Sequence, residues 1–143
     1  MTRGALLLLF VGLGCSSPPA PNAPERVPLR HLAILYGKYR NAHRGAPPRD
    51  EADFKKFITG LDPAQLAAAG VTAAEVDTLF VSPRDGQPYD VRYNDPPPAA
   101  GPDGPAAVVA EKVGKGGKRM VAYSTGQVDE VDEAQYQKVR FTK

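Results

Sequence analysis

The chain has 143 residues, of which 42% are hydrophobic and 24% are charged, and its formal net charge is +2. This length and composition predict one small globular domain and exclude a multi-domain enzyme with separate cofactor and substrate lobes. The near-neutral charge argues against nucleic acid as a partner, because proteins that bind nucleic acid carry strongly basic surfaces.

The first element is an apolar run over residues 4–14, preceded by Arg3 and followed by Cys15. A membrane-spanning helix needs about 20 apolar residues, so this run is too short to span. A basic start, a core of roughly 7–15 apolar residues and a small residue before a cleavage point are typical of a secretory signal. We therefore expect residues 1–14 to be a signal peptide that the mature protein lacks.

The junction Val11-Gly12-Leu13-Gly14-Cys15-Ser16 resembles the lipobox of bacterial lipoproteins. The resemblance implies that Cys15 is lipid-modified and becomes N-terminal, and that Ser16, in place of Asp, sorts the protein to the outer membrane. A buried thiol is the alternative interpretation of Cys15. Because it is the only cysteine, the chain cannot form an internal disulfide. The expected location is the cell envelope, anchored by lipid and facing the periplasm.

Residues 15–28 form a proline-rich segment with five prolines and few apolar side chains. Such a composition favours extended polyproline II, which rises about 3.1 Å per residue, and it indicates a tether between Cys15 and a domain over residues 29–143. A disordered tail of no required length is an equally good interpretation of the same composition.

Helical periodicity begins at Leu29, and the first predicted helix ends at a Gly45 cap. Its apolar stripe contains Leu29, Leu32, Tyr36, Tyr39 and His43. The opposite face carries Arg30, Lys38, Arg40 and Arg44, which either form an ordinary solvated face or contact anionic headgroups or a cell-wall polymer. Three further short helices are predicted after the N-cap residues Asp50, Asp62 and Thr72.

The second half of the chain changes to strand periodicity. Tyr89, Val91 and Tyr93 alternate with polar residues, and the segments 107–111, 118–123 and 127–131 also read as strands. Residues 94–105 are predicted to form a loop. The run Asp132-Glu133-Ala134-Gln135 predicts the N-terminal cap of a final helix. The predicted fold class is therefore α+β, with a three- or four-stranded antiparallel meander, a closing helix and one helix packed on one sheet face.

Residues 29–141 resemble two groups of bacterial proteins. One group is the type II secretion major pseudopilins, whose periplasmic domain this part of the chain looks like. The resemblance rests on the predicted tyrosine-containing helix, the Gly-Ala-Pro-Pro connection at residues 45–48 and the Ser-Pro-Arg-Asp-Gly-Gln-Pro-Tyr turn at residues 82–89. The stretch from Val109 to Val128 is similar to small lipoproteins of planctomycete-type bacteria. A pseudopilin-like fold is thus implied, but fibre assembly is not, because the prepilin-peptidase site and the long hydrophobic helix are missing.

No catalytic constellation is evident in the sequence. His31 and His43 lie about 18 Å apart on one predicted helix, which is too far for them to share a metal ion. The glycine-rich run Gly114-Lys115-Gly116-Gly117-Lys118 departs from a phosphate-binding loop and favours a hairpin turn. We therefore expect no catalytic residue, no metal site and no cofactor.

A possible binding loop is formed by Arg84, Asp85, Asn94 and Asp95 on two loops that flank one strand. Together with Asp103, these oxygen-rich loops could coordinate calcium, although aspartate is also a common turn residue. We predict a non-enzymatic, lipid-anchored binding or structural module whose partner is an envelope protein or polymer. The alternative is a small hydrolase or metal-dependent enzyme that uses loop carboxylates.

Overall fold

The computed structural model describes residues 20, 23–97 and 105–139. The described residues do not include Cys15, Asp103 or residues 1–14, which are expected to form a signal peptide. The four α-helices are α1 (Val27–Ala42), α2 (Glu51–Thr59), α3 (Pro63–Ala68) and α4 (Glu133–Val139). Short 3-10 turns occupy Pro24–Arg26, Ala73–Glu75 and Thr78–Phe80.

The sheet has four antiparallel strands, β1 (Asp90–Val91), β2 (Val109–Ala110), β3 (Lys118–Ala122) and β4 (Val128–Asp132). The strands lie side by side in the order in which the chain forms them. The predicted α+β class, with a long first helix, a meander and a closing helix, is confirmed. In the part of the chain that the structure describes, no helix is both long enough and apolar enough to cross a membrane.

Helical structure begins earlier than the sequence predicted. Pro24–Arg26 form a 3-10 turn that runs directly into α1 at Val27, so the expectation of an extended tether as far as Pro28 is wrong at its C-terminal end. Proline is tolerated in a first helical turn because its missing N–H would have no helical partner there. The buried Arg26 side chain then donates from Nη1 to the carbonyl of Val128 at 3.1 Å, which ties this turn to β4.

After α1, three helix N-termini form where the sequence predicted them. In each of three caps an aspartate oxygen accepts the backbone N–H three residues later, which supplies a partner to a donor that the helix leaves free. The pairs are Asp50 with Asp53, Asp62 with Gln65 and Asp132 with Gln135, each at 2.8 Å. The last two are complete capping boxes, because the glutamine side chain also accepts the aspartate N–H.

Both faces of the sheet are covered, which corrects the expectation of one helix on one face. Successive side chains of a strand point to opposite faces. Met120 and Ala122 belong to the core cluster that contains the apolar stripe of α1, whereas Val121 packs in a second cluster with Tyr136 of α4. The short closing helix is therefore a third layer that buries the outer face of the sheet.

The predicted strand over residues 89–93 is shorter in the structure, where only Asp90 and Val91 pair with β2. Arg92, one of the polar residues that alternate with Tyr89, Val91 and Tyr93, is buried. Its Nη1 lies 2.9 Å from Asp95 Oδ2, and its Nε donates to the carbonyl of Ala107 at 3.5 Å. A charged side chain can be buried when it is paired and hydrogen-bonded in this way.

Candidate functional site

A groove of about 350 Å³ lies between the end of α1 and α2. It is lined by Tyr39, His43, Asp53, Lys56, Phe57, Gly60 and Leu61. The groove exists because α1 and α2 cross through edge-to-face aromatic contacts, in which the ring of Tyr39 meets Phe54 at 5.9 Å and Phe57 at 5.0 Å. Such contacts fix the relative placement of two helices more narrowly than aliphatic packing does.

His43 is held in one orientation at the mouth of this groove. Its ring stacks on Tyr39, with ring centroids 3.9 Å apart and planes within 10° of each other. Its Nδ1 lies 2.8 Å from the carbonyl oxygen of Tyr39, so Nδ1 carries the proton of the neutral ring and Nε2 is left as an acceptor. The sequence placed His43 in the buried stripe of α1, whereas the structure exposes it just after the helix ends.

Asp53 is the carboxylate of the groove, and its oxygens are already engaged. Oδ2 accepts from the Tyr39 hydroxyl at 2.6 Å and from the Arg49 backbone at 3.1 Å, and Oδ1 accepts from Arg49 Nη2 at 3.2 Å. The hydrogen bond from Tyr39, followed by those from Arg49, lowers the pKa of Asp53 to about 2. Burial and then the same hydrogen bond raise the pKa of Tyr39 to about 12.

The remaining lining residues determine what the groove can bind. Phe57 and Leu61 offer half-buried apolar surface, and the exposed Lys56 places an ammonium group beside them. None of the lining side chains is a serine, threonine or cysteine, and the Tyr39 hydroxyl is committed to Asp53. The groove thus offers apolar contact, the Lys56 cation, one imidazole acceptor and the Asp53 carboxylate, so its polar lining is mixed in charge.

A second polar cluster lies inside the domain, around Glu111. The Ser82 hydroxyl donates to Glu111 Oε1 at 3.0 Å, and the Met120 backbone N–H donates to Oε2 at 2.8 Å. Ser82 and Glu111 are each only 1% exposed. Burial raises the pKa of Glu111 against the opposing effects of the Met120 hydrogen bond and the Arg84 charge.

This cluster bears on the hydrolase alternative, which needs an open cleft that brings Ser82 or His43 next to a carboxylate. Ser82 does lie next to one, but the serine and its carboxylate are both closed off from solvent. His43 shares the groove with Asp53, yet its Nδ1 is bonded to a backbone carbonyl instead of to that carboxylate.

Arg84 and Asp85, predicted as part of a binding loop, have structural partners. The side chain of Arg84 is 6% exposed, with Nη1 2.8 Å from Glu130 Oε1 and Nη2 donating to the carbonyl of Lys115 at 3.0 Å. Asp85 Oδ2 accepts the Gly114 backbone N–H at 2.9 Å. Burial would raise the pKa of Asp85, but backbone hydrogen bonds outweigh it, so that pKa is lowered.

Asn94 and Asp95, the other two residues of the predicted loop, lie elsewhere. Asn94 has a φ of 60° and donates its backbone N–H to the carbonyl of Pro48 at 2.9 Å, while Asp95 pairs with the buried Arg92. The four loop residues therefore contact two different parts of the fold. Within residues 23–97 and 105–139, no group of three or more His, Cys, Asp or Glu side chains could hold a metal ion.

His31 lines a different cavity, of about 260 Å³, together with Gly70 and Glu75. Burial, followed by the charge of Arg30, lowers the pKa of His31. Its ring packs so closely on Gly70 that a Cβ there would lie 2.5 Å from Nε2. The two histidines thus occupy separate environments, as their predicted separation along the helix indicated.

The roles of Glu111 and Lys56 were not predicted from the sequence. Glu111 lies two residues after the buried Val109 and therefore on the same, inward face of its strand, a charged residue at an apolar position that could have been noticed. Nothing in the sequence marks Lys56, because its proximity to His43 arises only from the packing of α2 on α1.

No protein-family model, no curated protein sequence and no solved structure matches this chain at a significant level.

Proposed function

We propose that this protein is a lipid-anchored component of the bacterial cell envelope that binds a partner without catalysing a reaction. The observation that carries the proposal is the position of Cys15, directly after an apolar run too short to span a membrane and directly before a proline-rich segment. Lipid on Cys15 would hold the domain at a membrane facing the periplasm, and Ser16 favours the outer membrane.

Acylation would supply the membrane affinity that the described helices do not offer. Each buried methylene contributes about 0.8 kcal/mol, and stable anchoring requires more than one acyl chain. The segment between Cys15 and Pro24 has eight residues, which reach at most about 29 Å when fully extended. The domain would therefore work within a short distance of the bilayer.

The environment of the polar groups favours binding over catalysis. The described carboxylates with clearly perturbed pKa values, Asp53 and Glu111 among them, are occupied by hydrogen bonds that hold the fold together. The groove between α1 and α2 keeps an exposed ammonium and an imidazole acceptor next to apolar surface. The likeness of residues 29–141 to pseudopilin domains and to small planctomycete-type lipoproteins agrees with an extracytoplasmic role.

The second candidate is a small extracytoplasmic hydrolase, and the feature in its favour is the free Nε2 of His43 beside Asp53 in the groove. This candidate predicts hydrolysis of a model ester that His43→Gln abolishes. The binding proposal predicts the same background rate for native protein and for His43→Gln.

The proposed lipidation and localisation are tested by intact mass and membrane fractionation of the native chain and Cys15→Ser, both expressed in a Gram-negative host. We expect acyl mass on residue 15 and outer-membrane fractionation of the native protein, and a soluble, unmodified Cys15→Ser. Ser17→Ala is the matched control and should fractionate as the native protein does. Two soluble, unmodified forms would overturn the lipid anchor.

A further inference from the structure

The hairpin over residues 112–119 joins β2 to β3 and carries an unusual concentration of positive charge. It contains Lys112, Lys115, Lys118 and Arg119 and no acidic residue. Arg119 is engaged, because its Nη2 lies 3.0 Å from Glu133 Oε2 and its guanidinium lies 4.3 Å from the ring centre of Tyr136. The three lysines are exposed, and none of them forms an ion pair with any residue that the structure describes.

Asp132 is the acidic residue nearest to these lysines in the sheet register, opposite Lys118. Its carboxylate accepts the Gln135 backbone N–H at 2.8 Å and so serves as the cap of α4. Lys118 is therefore positioned next to a carboxylate that already has a structural role, and its ammonium group remains available at the surface.

An apolar side chain stands between these charges. Val113 is 64% exposed, compared with 40% for Val81, the other large hydrophobic side chain exposed in the described part of the chain. A single exposed valine is ordinary on a protein surface. Flanked by unpaired lysines on a hairpin, it adds a contact for an aliphatic group of a partner.

The backbone of the hairpin is held by side chains of the neighbouring turn. Arg84 Nη2 donates to the carbonyls of Lys115 and Lys118 at 3.0 and 3.3 Å, and Asp85 accepts the Gly114 N–H. Arg84 is in turn paired with Glu130. This anchoring matters because a loop that is already ordered loses less entropy when it binds.

The hairpin lies at the end of the sheet opposite to the point where the chain enters the domain. Arg26 is bonded to Val128, which pairs with Ala122, whereas the hairpin leads into the other end of β3 at Lys118. Four residue steps along β3 separate these ends by about 13 Å. A domain tethered through its N-terminal segment therefore presents the hairpin away from the tether.

We propose that this hairpin docks the domain on a carboxylate-bearing polymer of the cell wall, with its three lysines facing carboxylates and Val113 contacting a methyl-bearing unit. The complementary charge and the position of the hairpin away from the tether favour such a polymer over the membrane that carries the lipid anchor. The identity of the partner depends on the proposed location in the cell envelope, whereas binding by the hairpin can be measured independently of that location.

The test is co-sedimentation of the purified full-length chain with Gram-negative cell-wall sacculi, with native protein and Cys15→Ser run in parallel. The hairpin variant combines Lys112→Gln, Lys115→Gln and Lys118→Gln. The matched control removes three charges from the helical region, through Arg30→Gln, Lys38→Gln and Arg44→Gln. Circular dichroism confirms that each variant is folded.

We expect the hairpin variant to bind at least about tenfold more weakly than native protein, and the control variant to bind within about twofold. Raising the salt concentration should weaken native binding, because exposed charge pairs are screened. Sacculi whose carboxylates have been amidated should retain little protein. Val113→Ser should reduce binding by a few fold.

Equal binding by native protein and the hairpin variant would overturn the proposal, as would undiminished binding to amidated sacculi. Retention on phosphatidylglycerol vesicles but not on sacculi would replace the polymer by a lipid surface and also overturn it. Because Cys15→Ser carries the same hairpin, it should bind sacculi as native protein does. A failed lipid anchor and a failed hairpin site would therefore be seen in different experiments.

Discussion

Ser82 Oγ donates a 3.0 Å hydrogen bond to Glu111 Oε1, although 29 positions separate the two residues and each is only 1% exposed. The bond joins the segment before β1 to the end of β2. It also orders the hairpin, because Arg84, two residues after Ser82, lies between Glu130 and the hairpin carbonyls.

Removing the Ser82 hydroxyl should destabilise the domain. Ser82→Ala leaves a buried carboxylate oxygen without its side-chain donor, and an unsatisfied buried polar group costs about 1–3 kcal/mol. Urea unfolding would measure the loss. Thr125→Ala, which removes an exposed hydroxyl, is the control and should change the free energy of unfolding by no more than about 0.5 kcal/mol. Equal stability of the two variants would contradict the structural role of the bond.

Glu111 should make the domain less stable as the pH rises. Burial raises its native pKa, so the folded state retains a proton at pH values where the unfolded chain has lost it. The free energy of unfolding should therefore fall between the ordinary glutamate pKa and the raised native value. Glu111→Gln should remove this dependence, whereas Glu51→Gln, at an exposed position, should retain it. An unchanged pH dependence in Glu111→Gln would show that Glu111 is not its source.

Asp53 should have the opposite effect on stability. Its native pKa is lowered to about 2, so its contribution is complete above the ordinary aspartate pKa and disappears as the pH falls towards 2. Tyr39→Phe removes the hydrogen bond that contributes most to the lowered pKa of Asp53. It should therefore raise that pKa more than Arg49→Ala does, because Arg49→Ala keeps the backbone N–H of residue 49 as a donor. NMR titration of the carboxyl carbon would measure both changes. Titration of native Asp53 at its ordinary value would refute the network.

Gly37→Ala should destabilise the protein, although alanine normally stabilises a helix interior by about 1 kcal/mol relative to glycine. A Cβ at Gly37 would lie 2.6 Å from the backbone carbonyl oxygen of Ser124, which cannot move without shifting the turn before β4. Overpacking of this kind costs about 1–3 kcal/mol, so the net effect should be a lower melting temperature. The neighbouring Lys38→Ala should leave the melting temperature nearly unchanged. A more stable Gly37→Ala would mean that α1 and the turn separate easily.

The sequence alone predicted the features that depend on neighbours along the chain. The caps at Asp50, Asp62 and Asp132 form because each joins residues only three apart. Strand alternation and the turn glycines likewise predicted the order of the meander. The expected lipid site at Cys15 also comes from adjacent residues, and it remains a prediction.

Only the tertiary structure decided which distant residues meet. Arg26 reaches Val128 across 102 positions, Arg84 pairs with Glu130, and α4 covers the second face of the sheet. The predicted loop of Arg84, Asp85, Asn94 and Asp95 looked like one surface in sequence, yet its members contact two parts of the fold. Side-chain type and spacing predict local hydrogen bonds, whereas burial and charge pairing depend on how helices and sheet pack in three dimensions.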